Sequence, residues 1–156
     1  MSVLLSIKPK YVEKIIDGDK KYEFRKAIFK VDCQMIYIYA SMPVKKIVGA
    51  IFPGQVDEDT PKNLWLKYKD LAGIQENEFF EYYAGKAKGF AIEIGQVGLF
   101  ENPIDPRECL PDFSPPQSFC YVNDELLERH DLIVDGDVFK PDVMQRSLFD
   151  IVQSAT

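Results

Sequence analysis

The sequence predicts an α+β fold, and three observations predict it. Several short stretches alternate their side chains with the period of two that a strand requires. Other stretches carry apolar stripes at helical spacing, with starts and stops marked by proline, threonine or glycine. At 156 residues, the chain is long enough for one domain with a real core. We place that domain at residues 1–122 and a helical C-terminal extension at 123–156. No internal repeat or low-complexity linker divides the chain further.

Val3–Ile7 is a short apolar run and opens the chain as a strand. Lys8-Pro9 then starts a helix, because a proline in the first turn has no N–H to lose. Tyr11, Val12, Ile15 and Ile16 form its apolar stripe, and Gly18 stops it. From Gly18 the chain runs at once into Lys21-Tyr22-Glu23-Phe24-Arg25, a strand with aromatics on one face and charges on the other. Met35–Ala40 covers both faces with apolar groups and reads as a central strand. Lys46–Phe52 follows as a strand, with Gly49 marking a bulge or a close backbone approach and Pro53-Gly54 reading as a turn.

Thr60-Pro61 has the form of a helix start, and Leu64, Trp65, Tyr68 and Leu71 share one face of that helix. A second helix spans 76–84, its Phe79, Phe80 and Tyr83 at core-packing spacing. Gly89–Phe100 is a long strand that Gly95 and Gly98 allow to bend, as barrel strands must. Five prolines between 103 and 116 break regular structure into a long loop. Glu125–His130 is helical, and residues 131–156 form a hairpin-like or extended acidic tail ending in the amphipathic segment Gln145–Val152.

Composition excludes several classes. The charged and hydrophobic fractions, 28% and 46%, are those of a soluble globular protein. No apolar run reaches the roughly 18 residues of a membrane span, and the start lacks a signal peptide's basic region, so a cytoplasmic protein is expected. Cys33, Cys109 and Cys120 are scattered and odd in number, which reads as reduced structural thiols. His130 is the one histidine, so neither a metal site of the usual nitrogen and sulfur ligands nor any cofactor is expected. The net charge of −6 argues against a protein that coats nucleic acid. Residues 1–50 nevertheless carry ten Lys and Arg against five Asp and Glu, so an anion can still be held locally.

No Walker loop, dinucleotide fingerprint, zinc-protease or serine-hydrolase motif is present. The candidate polar set is Lys8, Lys20, Glu23, Arg25 and Lys26, with Ser41 after the central strand and Gln117 and Ser118 in the late loop. Lys20 and Glu23 could do acid–base work if buried, since desolvation lowers a lysine's pKa; otherwise they are a surface ion pair. Arg25 suits a bidentate phosphate or base contact, and the Gln117 amide suits a base edge. The charged face of residues 21–25 is thus either solvated surface or the wall of a polar site.

Five motifs occur in the order of one family. Leu5-Ser6-Ile7-Lys8-Pro9 comes first, and Gly18-Asp19-Lys20-Lys21-Tyr22-Glu23-Phe24-Arg25 has the form GxKxxExR. Tyr39-Ala40-Ser41-Met42-Pro43-Val44 with Ile47-Val48-Gly49, Ile92-Glu93-Ile94-Gly95 and Pro115-Pro116-Gln117-Ser118 complete the series. Over residues 3–122 the chain resembles an ASCH domain (activating-signal-cointegrator homology) of the PUA-like superfamily. The resemblance implies a small β-barrel with flanking helices and a cleft beside the first helix, lined by Lys20, Glu23 and Arg25. It implies RNA or other nucleic-acid binding. Some small family members hydrolyse N4-acetylcytidine with a threonine, a lysine and a glutamate. Here the lysine maps to Lys20, but Glu23 stands at the threonine's position, and a carboxylate cannot replace a hydroxyl nucleophile without changing the mechanism.

Three functions are therefore expected, in this order. The first is binding of single-stranded RNA or a modified nucleotide through a cleft bearing Lys8, Lys20, Glu23, Arg25, Lys26, Ser41, Gln117 and Ser118. The second is hydrolysis of modified cytidine or RNA, with Lys20 and Glu23 catalytic. The third is an adaptor role, because Gln145-Arg146-Ser147-Leu148-Phe149 resembles a sliding-clamp docking peptide, with Gln145, Leu148 and Phe149 as its anchors. An amphipathic segment packing on the domain is the plainer reading of those residues.

Overall fold

The computed structural model describes residues 2–30, 33–108, 110, 112–116, 119–123 and 125–140. The strands are β1 (Ser2–Ile7), β2 (Tyr22–Arg25), β3 (Ile36–Ala40), β4 (Lys46–Asp59), β5 (Gly89–Ile104), β6 (Phe119–Val122), β7 (Leu132–Val134) and β8 (Asp137–Val138). The helices are α1 (Pro9–Asp17), α2 (Pro61–Tyr68), α3 (Glu76–Tyr82) and α4 (Leu126–Arg129). The fold is mixed α+β, with no helix long and apolar enough to cross a membrane among the described residues.

All the described strands join one sheet in the order β6-β1-β3-β4-β5-β7-β8, and β2 pairs with β5 beside that path. The path has two ends, so the expected barrel is not a closed ring of hydrogen bonds among the described strands. The short β1 and β3 pair in parallel, and the other pairings are antiparallel. Along β1 and β3 alternate side chains serve opposite faces. Val3, Leu5, Ile7, Ile36 and Ile38 pack beneath α1 with Val12 and Ile15, whereas Leu4, Tyr37 and Tyr39 pack with Phe100, Leu126 and Leu132. A strand buried on both faces must be central, as expected for β3.

The turn expected at Pro53-Gly54 is instead a bulged stretch of β4, which runs on to Asp59 against β5. Register shifts bracket Pro53, and a bulge tolerates a residue that has no N–H for the ladder. Gly49 meets the expectation of close approach: a Cβ there would lie 2.1 Å from the Gly98 carbonyl oxygen. Thr60 caps α2 by accepting the Asn63 N–H at 3.2 Å. The acidic segment after α4 forms a hairpin, β7–β8, around Asp135 and Gly136, both at positive φ.

Candidate functional site

α1 begins at Pro9 and ends at Gly18, whose φ of 84° gives the left-handed stop that the sequence indicates. That stop turns the chain back: the amides of Asp19 and Lys20 both donate to the Lys14 carbonyl at 3.0 Å. β2 then leaves in register with β5, Glu23 opposite Ile92 and Arg25 opposite Phe90. α2 and α3 cover this strand through Phe24, Leu64, Ala72, Phe79 and Tyr83, a third apolar cluster. Between α1, β2 and α3 lies a cavity of about 530 Å³.

Lys20, Glu23 and Arg25, only 2%, 8% and 9% exposed, are the buried charged side chains of the described residues, and all three line this cavity. The polar face of β2 is therefore a wall rather than solvated surface. Lys20 is held from several sides. Its Nζ donates to the Ala72 carbonyl at 2.7 Å, and it lies 5.0 Å from the Phe24 ring centroid and 5.5 Å from that of Tyr11. Desolvation pulls its pKa below the ordinary lysine value, Glu23 opposes that shift, and Arg25 and Lys14 add to it. Arg25 Nη2 donates to the Ser6 carbonyl at 3.0 Å, and its Nε stands 3.4 Å from Glu23 Oε1. Glu23 Oε2 is buried without a hydrogen-bond partner among the described residues. A ligand N–H is the natural complement of such an oxygen.

The rim is polar. Lys8 and Lys26 both line the cavity, and Lys26 Nζ lies 4.5 Å from the centroid of Tyr82. Tyr82 is itself half-buried, and burial is the main force raising its hydroxyl pKa. The Tyr83 hydroxyl donates to the Arg25 carbonyl at 3.0 Å and so ties α3 to β2 behind the wall.

Five of the eight sequence-derived ligand residues thus converge: Lys8, Lys20, Glu23, Arg25 and Lys26. Ser41 does not line the cavity; it sits in the turn after β3, where its amide donates to the Ile7 carbonyl at 3.0 Å. Gln117 and Ser118 lie outside the described residues, as do Gln145, Leu148 and Phe149. Sequence reasoning missed Lys10, Tyr11, Glu78, Glu81 and Tyr82, which also line the cavity. The signal lies in α3, where Glu78, Glu81 and Tyr82 recur at i, i+3 and i+4 along one side, beside the apolar stripe of Phe79, Phe80 and Tyr83. No group of three or more His, Cys, Asp or Glu side chains gathers as metal ligands among the described residues.

The fold is that of an ASCH domain. The crystal structure of ASCH from Zymomonas mobilis superposes with a TM-score of 0.76 at 26% identity, covering 83% of this chain and 95% of that one. A tyrosine-to-phenylalanine mutant of the Z. mobilis protein gives the same TM-score, covering 83% of this chain and 98% of its own. Within that class the chain belongs to the family described as Domain of unknown function (DUF365), whose model matches residues 1–112. The chain is also 28% identical over 129 residues to an ASCH domain-containing ribonuclease of Z. mobilis, covering 78% of this chain and 84% of that protein.

Proposed function

We propose that this protein binds single-stranded RNA by taking one unstacked nucleotide into the cavity between α1, β2 and α3. The observation that carries the reading is the gathering of all three buried charged side chains of the described residues around one cavity. Burying charge is costly unless it is paired or serves a ligand, and here the pairing is incomplete at Glu23 Oε2. A splayed base presents N–H donors and carbonyl acceptors along its edges, which match a carboxylate oxygen beside a lysine and an arginine. The Tyr82 ring at the rim offers a face on which a base can stack. The ribonuclease relative supports RNA as the polymer.

A second reading, hydrolysis of the bound RNA, is favoured by Lys20. A lysine whose pKa is lowered by burial can act as a general base.

Fluorescence-anisotropy titration of a labelled single-stranded RNA of about ten nucleotides at low salt tests both. Binding is expected, and Lys26→Ala and Arg25→Lys should each weaken it by about three- to tenfold. Equal affinity across wild type and both variants would refute the cavity as the site. The same mixtures run on a denaturing gel report cleavage, which Lys20→Met with Glu23→Gln should abolish. Cleavage persisting in that double variant belongs to a contaminant.

A further inference from the structure

The cavity contains a second polar arrangement, separate from the lysine–glutamate–arginine wall. Glu78, on α3, reaches across to the first turn of α1. Its Oε2 accepts from Lys10 Nζ at 3.0 Å and also from the Tyr11 hydroxyl. One carboxylate oxygen thus takes two donors from adjacent residues that lie 67 and 68 positions away in sequence. Lys8 is close enough to stabilise the same carboxylate electrostatically. The first turn of α1 holds no acidic residue of its own, and no side chain caps it. Glu23, whose Oε2 has no hydrogen-bond partner among the described residues, lines the same cavity.

We infer that Lys8, Lys10 and the Tyr11 hydroxyl form a phosphate-binding subsite of this cavity, and that the Glu78 carboxylate occupies it until a ligand phosphate takes its place. The inference deepens the RNA reading and rests on it. A carboxylate bound by an ammonium and a phenol is a close chemical stand-in for a phosphate oxygen bound by the same pair. Tyr11 and Lys10 together hold the Glu78 carboxyl below the ordinary carboxylate range, so it stays ionised as a competitor at neutral pH. Binding phosphate exchanges one anion for another at Lys10 and leaves Glu78 to solvent. Glu78 is already partly exposed and gains hydration on release, so what the exchange loses is its exposed pairing with Lys10 and Tyr11, which lowers apparent affinity without blocking it. The phosphate can come from an RNA backbone or from a terminal monoester, since both present the same oxygens.

Replacing the competitor tests this. Glu78→Gln keeps the side chain's size and removes its charge, so it should bind inorganic phosphate and a 5′-hydroxyl single-stranded RNA roughly three- to fivefold more tightly than wild type. Thermal shift against chloride of equal ionic strength reads the first, and anisotropy reads the second. The gain should vanish in Glu78→Gln combined with Lys10→Gln. Circular dichroism of each variant checks that the fold is retained. A 5′-phosphorylated RNA that gains more than its 5′-hydroxyl counterpart assigns the subsite to a terminal monoester; equal gains assign it to the backbone. If Glu78→Gln does not bind phosphate more tightly, or the gain survives loss of Lys10, the subsite is wrong even where wild type binds RNA. If phosphate behaves as expected and no variant binds RNA, the subsite stands and the RNA reading fails.

Discussion

Lys20 brings a pH signature with it. In the unfolded chain it titrates near 10.5, whereas burial lowers its pKa in the folded protein. Below that lowered value both states hold the proton, and the fold bears the full cost of the buried ammonium. Between the lowered value and 10.5 the unfolded state holds more protons, so stability rises with pH. Lys20→Met removes the group, and the stability difference between wild type and variant should therefore shift toward wild type as pH climbs from 7 to 9.5. Tyr68 and Tyr83 have raised pKa values in the folded state, but they are present in wild type and variant alike, so their contribution cancels from the difference. Urea unfolding of both proteins at the two pH values measures the effect, and a difference flat in pH would contradict it. The motif spacing already marked Lys20, Glu23 and Arg25 in the sequence. Their burial was not legible there, because what covers Lys20 is the carbonyl of Ala72, 52 residues away.

At the scale of elements, the segment between α2 and α3 sets Lys20 in place. The Leu71 carbonyl accepts the Lys21 amide at 2.9 Å, the Ala72 carbonyl accepts the Lys20 ammonium, and Gly73 lies against the Lys20 stem. A Cβ at Gly73 would fall 2.4 Å from Lys20 Cβ, and the residue's φ of 63° already disfavours a side chain. Gly85 is a matched control, with a φ of 79° and open space around it. Gly85→Ala should cost about 1 kcal/mol through backbone strain alone. Gly73→Ala should cost about 1–3 kcal/mol more and weaken RNA binding, because Lys20 or the segment must move. Thermal melts and anisotropy on the pair separate the two effects; equal losses would mean that Gly73 does not position the lysine. The helical period of α1 is legible because that helix buries one face, and the unbroken apolar cover of β3 is legible because that strand buries both. Pro53-Gly54 carries a turn signal but forms no turn, because β5 holds β4 in the sheet as far as Asp59. The far wall of the cavity was missed for a similar reason: Glu78, Glu81 and Tyr82 reach the site only when Phe79 and Tyr83 seat α3 on Phe24.

At the scale of the whole molecule, the proposed function has a protein of net charge −6 hold a polyanion. The cavity lining reverses that sign locally, with Lys8, Lys10, Lys20, Arg25 and Lys26 against Glu23, Glu78 and Glu81. The rest of the chain carries a net negative charge, so on this reading contact is confined to the one or two phosphates nearest the captured nucleotide. Each phosphate neutralised on a single strand contributes roughly −0.7 to the slope of log affinity against log salt. The slope should therefore lie between about −0.7 and −1.5, far shallower than that of a protein gripping many phosphates. Duplex RNA of the same sequence should bind much more weakly, because the stacked helix cannot place a base inside a cavity of about 530 Å³ between two helices and a strand. Anisotropy titrations from low to physiological salt, with single-stranded and duplex probes, measure both quantities. A slope steeper than about −3, or equal affinity for the duplex, would move the contact out of the cavity and onto an extended surface.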